Sequence, residues 1–302
     1  YILRNHYIMS IKLGSSDISK VYLGATEVSK IYLGATEIYS SAADYGTYVN
    51  AMITRANALS YTLPPAATLT DLQNRLATIG ATTLNKLDVL HIYSPDAGTM
   101  DFFTLNVVAP ATIQATLINA PSSSKLGIVT DGSTDYIDSG FDPYNDATNF
   151  TLNDNHIGAI TSQSTQSTGG AGVNAGVIDT AATESILAVR ILRANNGDYS
   201  SNNSEGLNIG STSINRDKLY IVSQRVLSSE FKSYKDGSLV NTKTEVSTRI
   251  PNVGNVFLGG FNEDGSITLR SINRFVGFTA GASITTTEMA TINTQITAFY
   301  GR

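Results

Sequence analysis

A decapeptide repeat near the start of the chain restricts what that segment can become. Ile18-Ser-Lys-Val-Tyr-Leu-Gly-Ala-Thr-Glu27 runs directly into Val28-Ser-Lys-Ile-Tyr-Leu-Gly-Ala-Thr-Glu37, and Ile38-Tyr39 comes next. A degenerate copy, Met9-Ser-Ile-Lys-Leu-Gly-Ser-Ser-Asp17, precedes them. Each unit sets β-branched and aromatic residues before Gly-Ala-Thr-Glu or Gly-Ser-Ser-Asp, the pattern of a short strand and a tight turn. An even period returns every strand to the same face. So short a meander cannot bury a face by itself. Val21, Leu23, Ile31 and Leu33 therefore pack on the rest of this chain, or complete their core with other copies or another protein.

After the small-residue linker Ser40–Ala43 the period becomes helical. Tyr45, Tyr48, Met52, Ile53, Ala56 and Leu59 recur at three- and four-residue steps, with Asp44 placed to cap them. Pro64-Pro65 stops that helix, and a second one over Leu69, Leu72, Leu76 and Ile79 ends at Gly80. Leu84–Tyr93 is apolar and is expected to pack the pair against the next domain. This divides the chain into a repeat segment 1–43, a helical connector 44–91 and a domain 92–302.

The third part reads as β. Short alternating stretches, among them Phe102–Val108, Ile157–Thr161, Ser185–Arg193, Lys218–Val226 and Arg270–Gly277, lie between Gly, Asn, Asp and Ser clusters. That spacing predicts an antiparallel sandwich or jelly roll. Lys235-Asp-Gly-Ser238 is a hairpin turn, because Asp-Gly supplies the positive φ angles. Thr285-x-x-Glu288 is a capping box that opens a last helix, with Met289, Ile292, Ile296 and Phe299 as its apolar stripe. The fold class expected is mainly β, with repeats, a helical pair, a sandwich and a terminal helix.

Composition removes several functions. The chain of 302 residues has no cysteine, which excludes disulfides and thiolate chemistry. Its histidines, His6, His91 and His156, lie too far apart for an H-x-x-x-H zinc site. Twenty basic against 25 acidic side chains give a net charge of −5, which argues against a nucleic-acid partner. Apolar runs such as 106–110 are far below the roughly 18 residues that span a bilayer. Tyr1–Ile8 lacks the apolar stretch and cleavage site of a secretory signal, so none is expected.

The order of motifs in the β region resembles the concanavalin A-like, laminin-G-like sandwich superfamily. Tyr220-Ile-Val-Ser-Gln-Arg225 leads to Ser233-Tyr-Lys-Asp-Gly-Ser-Leu-Val240, then to Val256-Phe-Leu-Gly-Gly-Phe261 and Phe275-Val-Gly-Phe278, and last to Thr285-Thr-Thr-Glu-Met-Ala290. The whole layout resembles tail-fibre and minor structural proteins of tailed bacteriophages. Its parts are the repeats Val21–Glu37, the helical pair 44–80 and Lys86-Leu-Asp-Val-Leu90. Two further pieces complete it, Asp131-Gly-Ser-Thr-Asp-Tyr-Ile-Asp-Ser-Gly-Phe-Asp-Pro143 and Phe150-Thr-Leu-Asn-Asp-Asn-His-Ile-Gly158. That resemblance implies a virion protein, homotrimeric if it is a fibre. The layout is then expected to fix the chain to itself or to other virion proteins through its repeats, with the sandwich facing outward on the particle surface, where it contacts host-surface glycans or simply decorates and stabilises.

Chemistry is sparse. The Glu-x-Asp-x-Glu strand of glycoside hydrolases in that superfamily is missing, as are a Gly-x-Ser-x-Gly elbow and a Walker loop. A chain without enzymatic activity and without a cofactor is expected. The alternatives are a capsule or polysaccharide depolymerase and a secreted carbohydrate-binding module. Asp131–Asp138 is the densest acidic cluster, either a calcium loop or a turn whose aspartates accept backbone hydrogen bonds. His156 is expected to be a hydrogen-bonded structural histidine. Ala194–Gly206 reads as a long polar loop, either a solvated surface loop or one in which Tyr199, Asn202 and Asn203 would bind a sugar, and Thr161–Gly172 reads as a similar flexible loop with no chemistry to recommend it.

Overall fold

The computed structural model describes residues 12–13, 16–17, 22–23, 26–27, 30–33, 36–40, 43–165, 172–180, 184–191, 197–204, 208–212 and 219–301. The chain divides into two compact units, 1–45 and 46–302.

In the first unit each repeat is a hairpin. β1 (Lys12–Leu13) pairs with β2 (Ser16–Asp17), β3 (Tyr22–Leu23) with β4 (Thr26–Glu27), and β5 (Lys30–Leu33) with β6 (Thr36–Ser40). Leu13 stands opposite Ser16, Leu23 opposite Thr26 and Leu33 opposite Thr36, each in an antiparallel pair. The ten-residue period is thus the length of a hairpin, and the expected single meander is a series of separate two-stranded sheets.

The second unit opens with α1 (Gly46–Ala58), α2 (Ala66–Ile79) and the single turn α3 (Ala81–Leu84). Strands then begin with β7 (Leu87–Ile92), β8 (Thr116–Ile118), β9 (Ser122–Ser124), β10 (Gly127–Val129), β11 (Tyr136–Asp138) and β12 (Asn155–Thr165). Next come β13 (Gly172–Asp179), β14 (Ser185–Ile191), β15 (Gly197–Ser204), β16 (Asn208–Thr212), β17 (Leu219–Leu227) and β18 (Glu230–Lys235). The last are β19 (Ser238–Thr244), β20 (Phe257–Leu258), β21 (Phe261–Glu263), β22 (Ser266–Thr268) and β23 (Ile272–Gly281), before α4 (Thr286–Tyr300).

Two sheets result. One runs β19-β18-β17-β12-β23-β10-β9, with β7 also on β23; the other runs β16-β15-β14-β13-β20-β11-β8, with β21 also on β13 and β22 on β21. Their inner faces meet in one core. Ile157 and Ala159 of β12, Ile221 of β17 and Phe278 of β23 face Val177 of β13 and Leu187 and Val189 of β14, all fully or nearly fully buried. The neighbouring positions on β23 point the other way, toward the helices: a Cβ on Gly277 would lie 3.5 Å from Ile296 of α4. The capping box forms, Thr285 and Glu288 each accepting the other's backbone N–H, and Met289, Ile292, Ile296 and Phe299 are buried. This is the mainly β sandwich with a terminal helix that the strand pattern predicts.

Four expectations change. Leu87–Ile92 pairs with β23 from Leu87↔Gly281 to Ile92↔Gly277, so residues 87–91, expected in the connector, belong to a strand of the sandwich. Phe102–Val108 is not a strand; Met100–Thr104 forms a 3₁₀ turn that buries Phe102 and Phe103. Gly197–Ser204 is a strand in the sheet, not part of a loop, and β12 extends to Thr165.

Candidate functional site

Loops at one end of the sandwich are tied into a single surface. They are the β11–β12 connection (139–154), the β17–β18 turn (228–229), the stretch after β19 (245–256) and the residues leading into α4 (282–285). Ser247 Oγ donates to Asn153 Oδ1 at 2.6 Å, and Ser283 N donates to Asp154 Oδ1 at 2.9 Å. Asn255 Nδ2 donates to Asp138 Oδ1 at 2.9 Å, and Val256 N to the Phe141 carbonyl at 2.9 Å.

The β11–β12 connection carries the exposed aromatic of this surface. Phe141 and Phe150, both buried, sit edge to face with centroids 6.1 Å apart and pin the two ends of the segment between them. Inside it, Asp142 Oδ1 accepts from Tyr144 N (2.9 Å) and Asn145 N (3.1 Å), and Oδ2 accepts from Asn145 Nδ2 (2.8 Å). Asp146 Oδ2 accepts from Asp142 N at 2.9 Å, and Asp146 N donates back to the Asp142 carbonyl. Asp88, on β7, fixes the far side: its carboxylate accepts from Thr148 N, Asn149 N and Phe150 N at 2.7 to 3.1 Å. The segment is therefore held by three carboxylates, and it presents Tyr144 with 56% of its surface exposed. Asn145, Asn153 and Asn252 are exposed on the same set of loops.

An arginine supports this end from within. Arg225, on β17, is fully buried, and its guanidinium donates to backbone carbonyls throughout. Nε and Nη2 reach the Asn202 carbonyl at 3.0 and 2.7 Å, while Nη1 reaches those of Leu227, Ser228, Glu230 and Glu245 at 2.9 to 3.3 Å. The cation also lies 5.6 Å from the Phe231 ring centroid. Burial lowers its pKa from the ordinary arginine value, and Glu245 opposes that. Leu227 and Val246, on the two segments that it joins, stay 53% and 67% exposed.

The residues expected to bind a sugar lie on β15. Tyr199 pairs with Ile209 and Asn202 with Leu187 in the ladder. Asn202 and Asn203 are fully buried, and Asn203, at φ 52°, accepts at its carbonyl from Thr248 N at 2.8 Å. This polar strand has the composition of a loop although Ser200, Ser201, Asn202, Asn203 and Ser204 are buried, at the end of the sandwich where Arg225 binds the Asn202 carbonyl. The structure does not place these two asparagines on the exposed surface beside Tyr144. Tyr144 comes directly after the Asp131–Pro143 motif. The signal for it in the sequence is Asp-Pro-Tyr-Asn-Asp between Phe141 and Phe150, a carboxylate-turned loop with an aromatic at its tip.

Other sequence candidates are structural in geometry. Asp131 Oδ1 accepts from Ser133, Thr134 and Asp135 N–H at 2.8 to 2.9 Å, which is the turn reading of that cluster, and these bonds offset burial to lower its pKa. Among the described residues no group of three or more His, Cys, Asp or Glu is placed to hold a metal. His156 is buried, with Nε2 3.2 Å from Thr279 Oγ1, which in turn lies 2.7 Å from the Tyr220 hydroxyl. Burial lowers the His156 pKa to about 4. No helix among the described residues is long and apolar enough to cross a membrane.

No protein-family model and no curated protein matches the sequence. In fold the chain is similar to a mutant of Trypanosoma rangeli sialidase displaying trans-sialidase activity, at 12% identity and a TM-score of 0.55, over 82% of this chain and 38% of that one. Trypanosoma rangeli sialidase matches at 11% identity and 0.51, over 74% of this chain and 38% of the other. The CBM40 of a Ruminococcus gnavus IT-sialidase, bound to α2,3-sialyllactose, matches at 12% identity and 0.37, over 46% of this chain and 82% of that one. The chain thus spans 38% of the length of the sialidases it matches. The likeness bears on the fold alone, a mainly β sandwich. It also corrects one expectation. Solved enzymes share this fold, so the missing Glu-x-Asp-x-Glu strand is no ground for reading the chain as non-enzymatic.

Proposed function

We propose that this chain is a glycan-binding β-sandwich protein whose contact surface is the Tyr144 loop face. The observation that carries the reading is an exposed aromatic on a segment fixed by Asp88, Asp142 and Asp146. An exposed ring gives a sugar an apolar stacking face, the neighbouring amides supply hydrogen bonds, and a pre-formed loop loses little entropy on binding. The resemblance to tailed-bacteriophage fibres supports a finer setting: a virion surface protein whose 1–43 repeats attach it to itself as a trimer or to other virion proteins. Many copies on one particle would make weak single sites sufficient through avidity. Retention of the full chain on a printed glycan array tests the binding, and light scattering of the same sample tests the trimer. Retention lost in Tyr144→Ala, and a mass three times that of the chain, are the expected results.

The likeness to sialidases favours a second reading, cleavage of a glycosidic bond. Its test is the appearance of new reducing ends when the chain is incubated with host-surface polysaccharide. Hydrolysis that survives Tyr144→Ala would place the chemistry elsewhere on the sandwich.

A further inference from the structure

Resting on the glycan reading, we infer that the loop face takes neutral glycans and turns away carboxylated or sulfated ones. Residues 139–154 include Asp142, Asp146 and Asp154 and no lysine or arginine. Glu245 adds a fourth carboxylate on the adjoining stretch, which is joined to the β17–β18 turn by Glu245 N–H to the Ser229 carbonyl at 2.8 Å.

Among the described residues the arginines at this end are already engaged, as are two lysines, while Lys243 near the end of β19 is half-buried and offers a single ammonium rather than a fork. Arg225 commits its guanidinium to the carbonyls of Asn202, Leu227, Ser228, Glu230 and Glu245. Arg249 pairs with the Asp179 carboxylate, which also accepts Asn252 N–H at 3.1 Å. Lys232 holds Glu230 at 3.0 Å, and Lys86 holds Glu288 at 2.8 Å. Recognition of a carboxylate or sulfate favours a cation that can turn its N–H groups to the ligand, most effectively as a bidentate arginine fork. At this face an acidic sugar would meet carboxylates with no such fork to receive it, and repulsion in a partly desolvated contact is larger than in bulk water. A neutral sugar meets no such penalty. It stacks on Tyr144 and exchanges hydrogen bonds with Asn145, Asn153 and Asn252.

The test sets neutral glycans beside their sialylated and sulfated counterparts on one array, with the full wild-type chain and Tyr144→Ala. Tyr144 is exposed, so its replacement leaves the fold intact, and a thermal melt of the variant verifies that. The expected result is wild-type retention on neutral glycans at least about tenfold above their acidic counterparts, abolished by Tyr144→Ala. Equal or stronger retention on acidic glycans, still abolished by Tyr144→Ala, overturns the charge selection and leaves the site standing. Neutral retention unchanged by Tyr144→Ala overturns the inference by moving the site. No retention of the wild type on any glycan removes the glycan reading, and the charge selection with it.

Discussion

Asp88 Oδ2 accepts the backbone N–H of Phe150 at 2.7 Å, across 62 residues of sequence. That bond, with those to Thr148 and Asn149, makes a buried carboxylate the anchor of the Tyr144 segment. Replacing Asp88 with alanine leaves backbone N–H groups without an acceptor where water is excluded. Charge-assisted bonds of this kind are each worth about 1.5–3 kcal/mol, and a lost set is not additive. We predict a loss of about 2–4 kcal/mol for Asp88→Ala and a smaller loss for Asp88→Asn, measured by denaturant unfolding. Glycan retention should fall in both variants more than in a surface control, because the loop no longer comes pre-formed.

Arg225 serves the same end from inside. Arg225→Met keeps much of the volume but strips donors from carbonyls on three segments. It should cost about 2–4 kcal/mol and raise amide hydrogen exchange at 226–230 and 245–248 before the rest of the sandwich. Arg225→Lys should not rescue it, because a point ammonium cannot span the fork. Unchanged exchange in the methionine variant would contradict this role.

Both described histidines make the fold acid-sensitive. His91 and His156 are fully buried, and burial lowers each pKa from 6.5 to about 4. The unfolded chain therefore binds more protons than the folded one between those values. Their contribution is intact above pH 6.5 and is lost as pH falls toward 4, by at most about 3 kcal/mol for each group. Denaturant midpoints should fall from pH 7 to pH 4.5, and His156→Asn should flatten that slope even if it lowers stability overall.

The capping box predicts a local effect. Thr285→Ala removes the acceptor for Glu288 N–H and should cost about 1 kcal/mol, seen as faster exchange in the first turn of α4. Since α4 packs on β23 through Ile296, the loss should stay at the helix end and spare the sheet.

How much of the fold is legible in the sequence depends on whether a local rule suffices. The α4 stripe, the Asp236-Gly237 turn (φ 50° and 83°) and the helix stop at Gly80 (φ 84°) are readable because a few neighbouring residues decide each. Leu87–Ile92 is not, since Leu87, Val89, Leu90 and Ile92, interrupted by Asp88 and His91, give no clean alternation and could equally serve a buried strand or helix packing. Gly197–Ser204 misleads for the opposite reason. A strand lined by serine and asparagine has no apolar alternation, and the ladders with β14 and β16 and the carbonyl-to-Arg225 bonds make it one. The candidate site divides in the same way. Tyr144 sits in a turn that its own aspartates build, which is local; Asp88, the residue that fixes that turn, comes from a strand about 60 positions earlier, and no spacing rule connects them.

A crystal structure of the full chain with the glycan that it retains most strongly tests the central claim directly. The predicted result is a sugar ring stacked on Tyr144, with its hydroxyls on the amides of the surrounding loops. A glycan seated away from the 139–154 segment, with Tyr144 still in solvent, would contradict it.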